Sequence, residues 1–156
     1  MKLNTQPIFE WNKDGYAICI LKSANSSREF IGEARCHPDD ADMMNEKTGN
    51  EIAFRRAKIQ AIRGYRDELK AQLRALNQLY FSMNKSKRFN EKSYENRMLQ
   101  RQIRMTNFDL ATIREDLATE EQNLREYIAK KEDFYQHIRK NRRIKVAEAP
   151  IEAENN

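Results

Sequence analysis

An α+β fold is predicted for this sequence: a three-stranded antiparallel sheet packed on the start of a long helix that continues into an extended antiparallel helical hairpin. Three observations carry this. All four glycines, Gly15, Gly32, Gly49 and Gly64, fall in the first 64 residues. Residues 65–149 contain neither Gly nor Pro, the residues that punctuate chains. Within that unbroken stretch, apolar residues recur at alternating spacings of three and four, the signature of a helix seam.

The front half reads as strands. "IFEW" and "YAICILK" are β-rich runs separated by "NKDG", whose Asp14-Gly15 pair can take the positive φ that a hairpin turn needs. After the polar "SANSS" comes "REFIGEARC", a third strand with Gly32 inside it, and an interior glycine marks a bulge or a close backbone approach. Three such strands need a cover on one face. The next element supplies it. Thr48 and Glu51 form a capping-box pattern at a helix start, and Ala53, Ala57 and Ala61 then recur every four residues. That small, flat face lets a helix lie close to a sheet.

Further on, Ile59, Ile62, Arg66, Leu69, Leu73, Leu76, Tyr80 and Met83 form a heptad seam with one polar interruption. The link "NKSKRFNEKS" follows. A second seam then runs through Leu99, Ile103, Thr106, Leu110, Ile113, Leu117, Glu120, Leu124, Tyr127, Lys131, Phe134 and Ile138. Two seamed helices with a short link fold back on each other, coiled-coil-like. Helix 49–83 spans roughly 50 Å and helix 94–145 roughly 75 Å. The overhang of about 25 Å must pack on the sheet, kink, or meet another protomer. A homo-oligomer is the expectation drawn from it. The chain thus divides into a β-β-β-α module (1–63), a helical hairpin (64–147) with a basic tip near 84–93, and a tail (148–156) expected to be disordered because it has no apolar face.

Composition narrows the functional classes. At 39% hydrophobic and 34% charged residues, the core is small and the helix surface well solvated. The longest apolar run, "AICIL", is far too short to span a bilayer, so no membrane segment is expected. Two cysteines without a secretory pattern fit a cytoplasmic location, which is the expected address. The net charge of +5 is unevenly spread: residues 49–93 carry 11 Lys/Arg and 4 Asp/Glu, whereas residues 94–138 carry 7 and 9. Such asymmetry is what an anionic partner reads first.

The run "ARCHPDDAD" gathers Cys36, His37, Asp39, Asp40 and Asp42. It lacks the paired ligand spacing of a zinc site and the D-x-D-x-D-G of a calcium loop. Adjacent strand residues such as Cys36 and His37 also point to opposite faces. The region is read as a structural junction, with no metal or cofactor. No glycine-rich phosphate loop is present, and no acid, base and nucleophile set can be named, so no enzyme is expected.

Basic residues are the stronger lead. Arg66, Lys70 and Arg74 recur at i, i+4 and i+8, and Arg97, Arg101 and Arg104 form a stripe at the start of the second long helix. The link adds Lys85, Lys87, Arg88 and Lys92, with Phe89 inside it and Tyr94 just after. A second basic cluster holds Arg139, Arg142 and Arg143. Cations interleaved with aromatics suit phosphate contact with base stacking.

Two resemblances add context. The strand–strand–strand–helix order over residues 8–63, with "FIGEARC" before "AFRRAKIQA", resembles the latter part of a double-stranded RNA-binding domain. That family grips phosphates with lysines at the start of its last helix, which would cast Arg55, Arg56 and Lys58 in that part; its first helix has no counterpart here. Separately, Gly32, Ala34, Cys36, His37, Pro38, Asp40, Gly49, Ala53, Arg56 and Ala57 fit a G-x-A-x-C-H-P-x-D … G … A-x-x-R-A pattern. It is similar to a signature of small phage and prophage proteins. This resemblance implies a phage accessory protein, a class whose members often occlude host machinery such as CRISPR nucleases.

The expected function is therefore a non-enzymatic phage protein that binds nucleic acid through basic helix faces and the hairpin tip. The alternative is an anti-defence inhibitor that binds a host nuclease or its nucleoprotein complex.

Overall fold

The computed structural model describes residues 6–24, 26–36, 45–85 and 93–147, the last six by backbone alone. Three strands, β1 (Ile8–Trp11), β2 (Tyr16–Lys22) and β3 (Glu29–Arg35), precede two helices, α1 (Glu46–Asn84) and α2 (Tyr94–Ala147). The sheet is antiparallel in the order β1-β2-β3, with Cys19 opposite Phe9 on one side and Gly32 on the other. This is the predicted α+β architecture. Gly15 takes positive φ (73°) in the first turn, and the Asn12 side-chain oxygen accepts the Asp14 and Tyr16 amides (3.1 and 2.9 Å).

One face of the sheet carries Ala17, Cys19, Leu21 and Ala34, all buried against Ala53 and Ala57 of α1. Small residues on both sides bring the two layers unusually close. A Cβ on Gly32 would collide with the backbone of Ala53 and Ala57. The expected close approach is therefore real, and it sits where the alanine face was predicted to lie.

The helix start differs from expectation. Asn45 is the cap, its side chain accepting the Thr48 amide at 3.0 Å, while Glu51 pairs with Arg55 at 2.7 Å instead of reaching back. Asparagine caps as well as threonine, and its earlier position adds a turn to α1.

Both seams exist. Ile59, Ile62 and Leu69 of α1 are buried, as are Leu99, Leu110 and Leu117 of α2. The antiparallel register is fixed near the sheet, where Lys58 meets Glu120 at 2.5 Å, Arg63 meets Glu121 at 2.7 Å, and Arg55 stacks over the Tyr127 ring. Polar residues punctuate the seam. Asn96 and Thr106 are buried within it, and Ser93 Oγ accepts the Asn96 amide (3.2 Å) where α2 begins. Phe134 is 58% exposed although the heptad pattern gave it a seam position, because the inward face here passes through Ile128, Lys131 and Tyr135 instead.

α2 outruns α1, as its length required. Ile128, Lys131 and Tyr135 line a cleft together with Trp11, Ala34 and Arg56, so the distal part of α2 packs beside the sheet through Tyr135. Residues 136–147 extend beyond it by about 18 Å. α1 is continuous across the expected boundary at 63/64 and serves both layers. The expected tail, 148–156, lies outside the described residues. Among the described residues no helix is long and apolar enough to cross a membrane.

Candidate nucleic-acid interface

Charge is segregated along the hairpin. Residues 69–108, its distal half, carry 9 Lys/Arg and 2 Asp/Glu, whereas residues 109–133 carry 4 and 8. Two acids of that second stretch, Glu120 and Glu121, hold Lys58 and Arg63 of α1. The distal half has few acids to pair with.

The predicted site residues separate into three groups. The first is held by the fold. Arg55 pairs with Glu51 and stacks on Tyr127 at 5.1 Å from the ring centroid, with Lys131 on the same ring at 5.5 Å. Arg56 donates to the Glu33 carbonyl (2.5 Å), and Lys58 binds Glu120. These three cations, which the RNA-binding-domain resemblance would have put on phosphates, fasten α1 to the sheet and to α2. Arg66, half-buried in the seam, pairs with Asp67 at 3.0 Å, and Lys70 lies 3.8 Å from the same carboxylate. Arg139 is 3.9 Å from Glu132, on the far end of α2.

The second group is exposed. The guanidinium groups of Arg74, Arg97, Arg101 and Arg104 make no ion pair or hydrogen bond with another described residue. Arg97 and Arg101 lie on the side of α2 turned away from its seam, as their spacing relative to Leu99 and Ile103 requires, while Arg104 sits toward one flank and lines a groove with Asn77 and Tyr80 of α1. Lys85, also exposed, closes α1, its amide donating to the Phe81 carbonyl at 3.2 Å. The third group, Lys87, Arg88, Phe89 and Lys92, lies outside the described residues, as do the side chains of Arg142 and Arg143.

The sequence reading placed Tyr94 beside these cations but missed the rest of the apolar component of this surface. Tyr94, Met98, Met105 and Phe108 are exposed on the same side of α2 as Arg97 and Arg101 (68%, 37%, 54% and 68%), and Leu79 and Phe81 are exposed on α1. A signal was available. Tyr94, Met98, Arg101, Met105 and Phe108 repeat the four-three-four-three spacing of the seam, displaced to the outer face. Beyond Phe108 the same face turns polar, with Glu115, Thr119, Gln122 and Glu126.

The "ARCHPDDAD" run contributes only its first residues. Cys36 is half-buried at the end of the strand region, and residues 37–44, including His37, Asp39, Asp40 and Asp42, lie outside the described residues. Among the described residues no group of three or more His, Cys, Asp or Glu is placed to hold a metal ion. No protein-family model, curated protein or solved structure matches the chain.

Proposed function

We propose that this protein is a non-enzymatic nucleic-acid-binding protein acting in the cytoplasm, in the phage context that its signature implies, and that the distal half of the hairpin is its contact surface. The observation that carries this reading is the row Arg97, Arg101 and Arg104, exposed along α2, with no ion pair to a described residue and flanked by exposed aromatics. Cations with no acidic partner among the described residues favour a polyanion, because each phosphate contact releases counterions. Arg74 and Lys85 extend the same positive field along α1.

The test is equilibrium binding across a salt series, with wild type beside an Arg97→Gln/Arg101→Gln/Arg104→Gln variant. Affinity should fall steeply with salt. The variant should flatten the slope of log K against log salt by about 0.7–0.9 for each phosphate it no longer neutralises. A wild-type protein that binds no nucleic acid even at low salt rules the reading out. In that event the second reading gains: inhibition of a host nucleic-acid-handling protein. Its support is Leu79, which is 51% exposed on α1 and has no flat face for a base. Such a side chain suits a protein surface better than a strand of nucleotides.

A further inference from the structure

Resting on the nucleic-acid reading, we infer that the outer face of α2 over residues 94–108 is a track for single-stranded nucleic acid, with bases stacking on Tyr94 and Phe108 and phosphates held by Arg97, Arg101 and Arg104 between them. Both rings are 68% exposed, on the face of α2 turned away from its seam. Fourteen residues separate them, about 21 Å along the axis. The three arginines fall inside that interval, Arg97 and Arg101 on the face of the rings and Arg104 at its edge toward α1.

This alternation suits a single strand. Its bases offer open π-faces, which aromatic side chains cover whatever the sequence, while the backbone follows the cations. In a duplex the base faces are already stacked on one another. A duplex would take the arginines and leave both rings in water. A second copy of the chain fits less well. Bringing the apolar residues of two such faces together by an antiparallel two-fold contact about Arg101 sets Arg101 against its own equivalent and Arg97 beside the Arg104 of the other copy, and like charges so placed repel. The stripe ends where α2 turns acidic, at Glu115, which bounds the track to one short segment.

The experiment is fluorescence anisotropy with labelled single-stranded DNA and RNA of about 16 nucleotides, and with duplexes of equal length. Wild type, Tyr94→Ala/Phe108→Ala and the triple Arg→Gln variant are compared across salt, with far-UV circular dichroism confirming that each keeps its helix. Single strands should bind at least about tenfold tighter than duplexes. The aromatic variant should lose roughly tenfold or more for single strands with its salt slope unchanged, since stacking releases no counterions. The arginine variant should lose slope. Equal binding of single strands and duplexes, indifferent to the aromatic variant, overturns the stacking track while leaving the nucleic-acid reading intact. Absence of binding to either form by wild type overturns both.

Discussion

Gly32 shows how one residue sets the distance between layers. It faces the backbone of Ala53 and Ala57, with no room for a side chain. Gly32→Ala should therefore destabilise the protein by about 2 kcal/mol or more, in the range of overpacked cores. Urea unfolding monitored by circular dichroism checks this; an unchanged midpoint would mean the two layers are not in such close contact. Cys19, opposite Gly32 and fully buried, shows the same compactness chemically. Burial pushes its thiol from 9.0 up to about 11. The folded state thus holds this proton more tightly than the unfolded chain does. Its contribution to stability is present below pH 9.0 and is lost as pH rises toward about 11. In a Cys36→Ser variant, whose one thiol is Cys19, a maleimide at about pH 8 should label the unfolded protein and spare the folded one.

At the level of elements, the hairpin depends on a seam that is apolar in most of its positions and polar in a few. Leu110 is 4% exposed, facing α1. Leu110→Asp should cost at least about 3 kcal/mol, because it leaves an uncompensated charge in the interface. Reduced helicity or a lowered urea midpoint is the expected result. A variant with wild-type helicity and stability would contradict the seam. The polar positions have different characters. Glu120 is tied to Lys58, and Lys131 sits over Tyr127, so these breaks are satisfied by neighbouring side chains. That is why a heptad pattern with interruptions still folds as one seam. The same spacing on the outer face of α2 meets no helix among the described residues, and Tyr94, Met98, Met105 and Phe108 are exposed there beside the arginines.

The whole molecule is organised by α1. Its first turns cover the sheet and its full length supports α2, so neither layer has a core without it. Trp11, the one tryptophan, reports on the sheet, because its ring lies against Gly49 of α1. Far-UV ellipticity reports on the hairpin. The two signals should give coincident urea transitions, as a single cooperative unit requires. Separated midpoints would show that the sheet and the hairpin unfold independently. Segregation of charge belongs to this scale too. Within the acidic stretch of α2, Glu120 and Glu121 bind α1, whereas Arg97, Arg101 and Arg104 of the cationic stretch pair with no described residue.

Much of this was legible in the linear pattern. Strand runs, the Asp14-Gly15 turn, the alanine face and both seams are local regularities of period two or of alternating three and four. Local regularities dictate which backbone conformation buries apolar surface. The helix cap was misplaced because threonine and asparagine compete for the same role, and only backbone geometry shows which accepts the amide. Partner choice was equally out of reach. Nothing in the order of residues says that Arg55, Arg56 and Lys58 are bound to Tyr127, Glu33 and Glu120, or that Arg97, Arg101 and Arg104 are engaged by no described residue. Whether a cation is structural or available depends on which acids and rings the packing of two distant segments brings within a few ångströms. That is decided by the register of α1 against α2 and the sheet, a property of the folded chain alone.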